Sequence, residues 1–189
     1  IIGIIFFIPL LYFTIRKAIP PVLIPRLYLL LILGGFQGVL GWYMVKSGLV
    51  DDPNVSQYRL TAHLGMAVFI YSLILWTVFD LSLNYNHTIR SRIKWMSSTL
   101  TLLIFLMILS GGLVAGTRAG IPFPTWPLMG DTFIPPQIYS MNPSWLSAFE
   151  DMATIQFNHR MFAYLLTIFI VIFAIVLLGS NVPRFLKNG

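Results

Sequence analysis

Two histidines stand where chemistry is costly. His63 lies in Ser-Gln-Tyr-Arg-Leu-Thr-Ala-His-Leu-Gly-Met-Ala (residues 56–67) and His159 in Ile-Gln-Phe-Asn-His-Arg-Met-Phe (155–162), each at the start of a long apolar run. An ionisable or metal-binding side chain at membrane depth is expensive, so it is read first as a functional residue. Neutral imidazole ligates zinc, copper and iron. Bare metal sites generally add carboxylates or further histidines, and the apolar stretches around His63 and His159 hold no acid. Haem needs only one or two axial ligands, because the porphyrin supplies four nitrogens. Single histidines on separate apolar helices therefore fit haem better than a bare metal. The alternative for each is a histidine that hydrogen-bonds between helices.

Cations accompany both. Arg59 precedes His63 by one helical turn on the same face, and Arg160 follows His159 directly. Two readings fit them equally: pairing with haem propionates at the membrane edge, or snorkelling to lipid phosphate. The third histidine, His87, sits among polar and basic neighbours and reads as an exposed loop residue. Glu150 and Asp151 precede an apolar run, where negative charge favours a helix N-terminus. Cysteine is absent, which excludes thiolate metal sites, disulfides and thiol redox chemistry within these residues.

The elements that must position these side chains are membrane spans. Of 189 residues, 57% are hydrophobic and 10% charged, and the mean hydropathy is strongly positive, which places the chain outside the soluble globular class. The fold class expected is an all-α transmembrane helix bundle with about five spans. They fall near residues 1–15, 27–46, 57–79, 95–116 and 153–178. Pro20, Pro21 and Pro25 make a loop of the stretch after the first run. The first run is shorter than the roughly 20 residues that a crossing helix needs, and the chain opens on Ile1. The expectation is a fragment cut inside a helix. The polar stretch 117–152 is rich in proline and aromatics, which suggests a cap folded over the bundle with Trp126 and Trp145 at interfacial depth.

The net charge of +6 does not indicate nucleic acid here, because the basic residues cluster between apolar runs and act as topology signals. With spans alternating, Arg16, Lys17, Arg26, Arg90, Arg92, Lys94, Arg184 and Lys187 fall on one side, together with Asp80. The positive-inside rule makes that side cytoplasmic or matrix. His63 and His159 then lie at matching depth near the periplasmic or intermembrane side. Glycines recur on two spans: Gly34, Gly38, Gly41 and Gly48, then Gly112, Gly116 and Gly120. Such stripes serve close helix packing, or leave room for a flat cofactor.

The chain resembles the haem A synthase family. The resemblance rests on Phe-Gln-Gly-Val-Leu-Gly-Trp-Tyr-Met-Val-Lys-Ser-Gly-Leu (36–49), Val-Ser-Gln-Tyr-Arg-Leu-Thr-Ala-His-Leu-Gly (55–65), Gly-Gly-Leu-Val-Ala-Gly-Thr-Arg-Ala-Gly (111–120), Trp-Pro-Leu-Met-Gly-Asp (126–131) and Gln-Phe-Asn-His-Arg (156–160). The form of the first two motifs is that of the mitochondrial and alphaproteobacterial branch. The resemblance implies a parent of eight helices in two similar four-helix halves, each with a haem-sized pocket between two histidines. On that pattern, residues 1–80 are the remainder of the N-terminal half, 81–94 an inner connecting loop, and 95–189 the first part of the C-terminal half.

The resemblance further implies that His63 is an axial ligand in a pocket for the substrate haem O, and that His159 is one in a pocket for a resident haem B. Each partner histidine, and the outer-loop glutamate implicated in the family's chemistry, falls outside these residues. The catalytic group is therefore unknown here, and the fragment alone is expected to be inactive. The implied reaction oxidises a porphyrin methyl group to formyl through hydroxylation and loss of water, making haem A for cytochrome oxidase. Implied partners are the bilayer, an electron donor and a haem O synthase; a homo-oligomer is compatible, and nucleic acid is not. The alternative is a membrane di-haem b-type cytochrome that only relays electrons. A transporter would need a broken helix and charge near mid-membrane, and neither is apparent.

Overall fold

The computed structural model describes residues 1–46, 55–82 and 90–180. His87, Gly48, Asp51, Asp52, Arg184 and Lys187 lie outside the described residues. The described chain is helical: α1 (Ile2–Ile15), α2 (Ile24–Lys46), α3 (Gln57–Ser82), α4 (Ser91–Thr117), a 3-10 turn (Ser144–Leu146), the short α5 (Ser147–Glu150) and α6 (Met152–Leu178). Among the described residues there is no sheet, only an isolated bridge between Met129 and Thr132.

Four of these helices, α2, α3, α4 and α6, are long and apolar enough to cross a membrane, with 23, 26, 27 and 27 residues. At about 1.5 Å per residue, even the shortest exceeds the roughly 30 Å hydrocarbon core. The chain is a multi-pass membrane protein. Its helices carry large apolar side chains outward, among them Phe69, Leu165, Ile168 and Val171. A lipid-facing helix needs no polar face, because the bilayer replaces water as its solvent. The shorter α1 has 14 residues and carries Pro9 in its interior.

Helix ends follow local chemistry. Lys17 adopts a left-handed φ of 53° just past α1, and Ala18 N–H closes the helix on the Phe13 carbonyl at 3.0 Å. The helix after it begins at Ile24, earlier than residue 27, so Pro25 and Arg26 belong to its first turn. Proline is tolerated there because its missing N–H would have no helical acceptor. Arg118 ends α4 with a φ of 55°, and Ala119 N–H returns to the Val114 carbonyl at 3.0 Å. Asp151 caps α6 by accepting from Thr154 N at 2.8 Å. Because α4 begins at Ser91, Arg92 and Lys94 lie in its first turn, not in the loop before it.

The chain divides into two compact units, 1–84 and 85–189. In the first, α2 packs on α3 and α1 on α2. At one end of that pair, Arg26 Nη1 donates to Asp80 Oδ2 at 2.6 Å and Trp76 Nε1 donates to Asp80 Oδ1 at 3.1 Å. The lone acid on the basic side thus has a partner, and α3 extends past residue 79 to hold it. In the second unit, α4 and α5 both pack on α6.

Candidate functional site

His63 and His159 each sit about two turns in from the N-terminal end of their helices, α3 and α6. In the first unit, the imidazole of His63 lies against α2. A Cβ added to Gly41 would fall 3.1 Å from His63 Cε1, so only glycine leaves the ring its place. One turn earlier on α2, Gln37 Nε2 donates to the His63 carbonyl oxygen at 3.0 Å. The same amide nitrogen stands 3.5 Å from His63 Nε2. The carbonyl bond fixes which end of the carboxamide is nitrogen, since only a donor can satisfy it. Three buried polar atoms around this junction have no hydrogen-bond partner: Gln37 Oε1, Thr61 Oγ1 and His63 Nδ1.

In the second unit, His159 of α6 lies against α4. A Cβ on Gly111 would be 3.5 Å from His159 Cε1, ordinary contact distance. Ser110 Oγ and His159 Nδ1 are hydrogen-bonded at 3.0 Å. Both units thus seat an imidazole on a glycine of the neighbouring helix, beside a polar side chain of that same helix.

The arginines take different partners. Arg59 places its guanidinium 4.8 Å from the centre of the Tyr43 ring, joining α3 to α2 by a cation–π contact. Arg160 donates through Nη2 to the Phe123 carbonyl at 2.7 Å and through Nη1 to the Leu128 carbonyl at 3.1 Å. It therefore holds the outer segment to α6. That segment is folded. Thr125 Oγ1 donates to the Leu128 carbonyl at 2.9 Å and accepts from Gly130 N at 3.0 Å. Met129 N–H donates to the Thr132 carbonyl at 2.8 Å, and Met129 itself is buried.

Further along, Tyr139 donates its N–H to Thr154 Oγ1 at 3.1 Å and its hydroxyl to Asn158 Oδ1 at 3.0 Å. Met141 N–H meets the fully buried Ser147 Oγ at 3.1 Å. The segment after α4 is therefore docked on the outer end of α6, one turn from His159. Trp126 and Trp145 stay outside, 74% and 63% exposed, as interfacial rings do.

The glycine stripes divide in function. On α2, a Cβ at Gly34 or Gly38 would meet nothing within 4 Å, so neither is a contact between α2 and α3. Together with Gly41 they form an open strip about 10 Å long beside His63. On α4, Gly111 faces the histidine, a Cβ at Gly120 would meet nothing within 4 Å, and Gly112 is buried, as close packing requires. Sequence reasoning also passed over Gln37 and Ser110. Their signal was a polar side chain within or beside a glycine cluster on an apolar helix.

Among the described residues, no group of three or more His, Cys, Asp or Glu side chains could hold a metal ion. An imidazole with a side chain-free strip beside it suits a flat macrocycle that brings four donors of its own.

Comparison with known proteins agrees. The family model described as "Cytochrome oxidase assembly protein" (COX15-CtaA) matches residues 1–187. A protein of Nitrosospira multiformis named heme A synthase is 48% identical over 178 residues, covering 92% of this chain and 50% of its own length. Proteins of the same name from Parvibaculum lavamentivorans and Wolbachia pipientis wMel are 45% and 38% identical, over 90% and 92% of this chain and 50% of their own lengths. The chain spans about half the length of the curated relatives it matches. No solved structure matches it.

Proposed function

The chain belongs to the cytochrome oxidase assembly protein family, COX15-CtaA, and from that membership we propose that it is the segment of a haem A synthase that supplies one axial histidine to each of two haem pockets. The observation that carries the reading is the paired arrangement: His63 against Gly41, and His159 against Gly111, each on the helix next to its own. His63 holds the substrate haem O and His159 a resident haem B. Haem held by these two histidines would supply the redox chemistry for converting a methyl group of haem O to formyl.

The protein's own work is ligation, orientation and exclusion of water. Gly34, Gly38 and Gly41 give the macrocycle a face free of side chains on α2. Arg59, held near the outer end of α3 by Tyr43, offers charge to a propionate. Arg160 already spends two donors on the outer segment and acts on the second pocket by keeping that segment closed over it. Positive charge around Arg16, Lys17, Arg26, Arg92 and Lys94 puts their side in the cytoplasm or matrix. Both histidines then open toward the periplasm or intermembrane space, in the inner membrane of a bacterium or mitochondrion.

The test is to co-express the full-length protein with a haem O synthase and extract the pigments. Haem A is expected. Bound haem with haem O left unconverted would replace the enzyme by a di-haem electron carrier.

A further inference from the structure

We propose that Ser110 is the positioning residue of the second site: it holds Nδ1 of His159 and thereby fixes the tautomer and ring orientation that offer Nε2 to the iron. The proposal rests on the reading of His159 as a haem ligand and extends it to a residue outside the pocket's ligand set.

Serine and threonine within these helices have a default. Thr14, Ser72, Thr77, Thr101, Thr117 and Thr167 each turn their hydroxyl back onto the carbonyl four residues earlier in their own helix. In lipid this is the simplest way to satisfy a hydroxyl. Ser110 instead reaches across to α6, with Oγ 3.0 Å from His159 Nδ1. Gly111, the next residue of α4, faces Cε1 of the same ring. The Nδ1–Cε1 edge of the imidazole therefore lies on α4, and the Nε2 edge is turned away from it.

A neutral imidazole has one N–H and one lone pair. With Nδ1–H donated to Ser110 Oγ, the lone pair resides on Nε2, the nitrogen that α4 leaves accessible. Metal-bound histidines generally donate their second nitrogen in this way, which orients the ring and raises its basicity. A more basic ligand favours ferric over ferrous iron, so the bond lowers the reduction potential of the haem it serves. A hydroxyl that merely packed α4 on α6 would have no such effect.

The experiment uses the purified full-length protein with its bound haem B, comparing wild type with Ser110→Ala, Ser110→Thr and Ser110→Cys, and with His159→Ala as reference. Two quantities are measured: the reduction potential by redox titration, and the rate of haem loss to a haem-free globin. Ser110→Ala is expected to raise the potential and to lose haem about 10-fold faster. Ser110→Thr restores both, since it keeps the hydroxyl. Ser110→Cys, which keeps the volume but is a weak acceptor, moves both in the direction of alanine and stands in if the alanine variant fails to accumulate. Potentials and loss rates of Ser110→Ala or Ser110→Cys equal to wild type, with haem lost from His159→Ala, would overturn the role of Ser110 alone. Haem B retained by His159→Ala would overturn the ligand reading and the role of Ser110 with it.

Discussion

The two helix pairs hold their histidines in opposite ways. Around His159, Ser110 engages Nδ1 at 3.0 Å. Around His63, the Gln37 carboxamide stands before Nε2 at 3.5 Å, while Nδ1 is buried without a partner. On the proposed ligand roles, the first arrangement orients its ring for the iron and the second does not: a ligand at His63 Nε2 would first have to displace an amide. The same amide nitrogen donates to the His63 carbonyl at 3.0 Å, so clearing Nε2 means swinging the carboxamide off that one bond, its contact with the ring being long. A prearranged ring suits a resident haem, and a ring behind a movable side chain suits a substrate that enters and leaves. On those proposed roles, the same helix-on-glycine scaffold would serve two occupancies through one polar residue each.

The sharpest way to break this comparison is to remove the rings. In the full-length protein, His63→Ala should abolish haem A formation while haem B remains. His159→Ala should chiefly lose bound haem B, read from pigment extracts of the purified proteins. Equal loss of both pigments in both variants would dissolve the distinction between the sites.

The arginines differ as the histidines do. Arg160→Gln removes two charge-assisted hydrogen bonds to main-chain carbonyls, at about 2 kcal/mol together, the low end of the range because one of them is exposed. Limited proteolysis of membrane vesicles should then cut within residues 118–146. Arg59→Gln gives up the contact with the Tyr43 ring in the other compact unit, and the cleavage pattern should match wild type. Cleavage appearing in both variants, or in neither, would show that Arg160 is not what holds the outer segment.

A smaller effect separates the two glycines. Gly41→Ala puts a methyl group 3.1 Å from His63 Cε1, whereas Gly111→Ala reaches only 3.5 Å from His159 Cε1. The first must shift the imidazole, at about 1–2 kcal/mol; the second fits. Substrate haem should bind Gly41→Ala roughly tenfold more weakly, with haem B content of Gly111→Ala unchanged. Equal effects of the two substitutions would remove the asymmetry of the pairs.

These contrasts mark where sequence reading stops. The spans were legible because helices of 23 to 27 predominantly apolar residues have few alternatives in lipid. Both histidines were legible because imidazole is rare and costly there. Gln37 and Ser110 were not, because a polar residue on an apolar helix has no direction until the neighbouring helix is placed. The glycine stripe on α4 did not single out Gly111, the glycine that meets His159, because it lies about 100° around the helix from Gly112. The aromatic content of the outer segment suggested a cap. Its docking depends on Thr154 and Arg160 meeting main-chain groups 15 to 37 residues away, and spacing does not encode those bonds. Nor could Arg26 and Asp80, 54 residues apart, be paired before α2 met α3.

That ion pair supplies the smallest prediction and a control for the rest. Arg26 and Asp80 have side chains 26% and 35% exposed, so solvent screening limits their bond to about 0.2–1 kcal/mol. Asp80→Asn removes the charge but keeps an oxygen for Trp76 Nε1, now 3.1 Å away; Asp80→Ala removes both. Thermal unfolding in detergent should show a slight loss for Asp80→Asn that vanishes in high salt, and a larger, salt-independent remainder for Asp80→Ala. If the two variants were equally destabilised, charge alone would hold this end of α2 to α3. Asp80 is also about 25 Å from His63 along α3. Neither variant should alter haem bound at His63, because the seat of that ring is made locally by Gly41 and Gln37. A change in haem content would mean instead that the far end of the pair sets the register in which glycine meets imidazole.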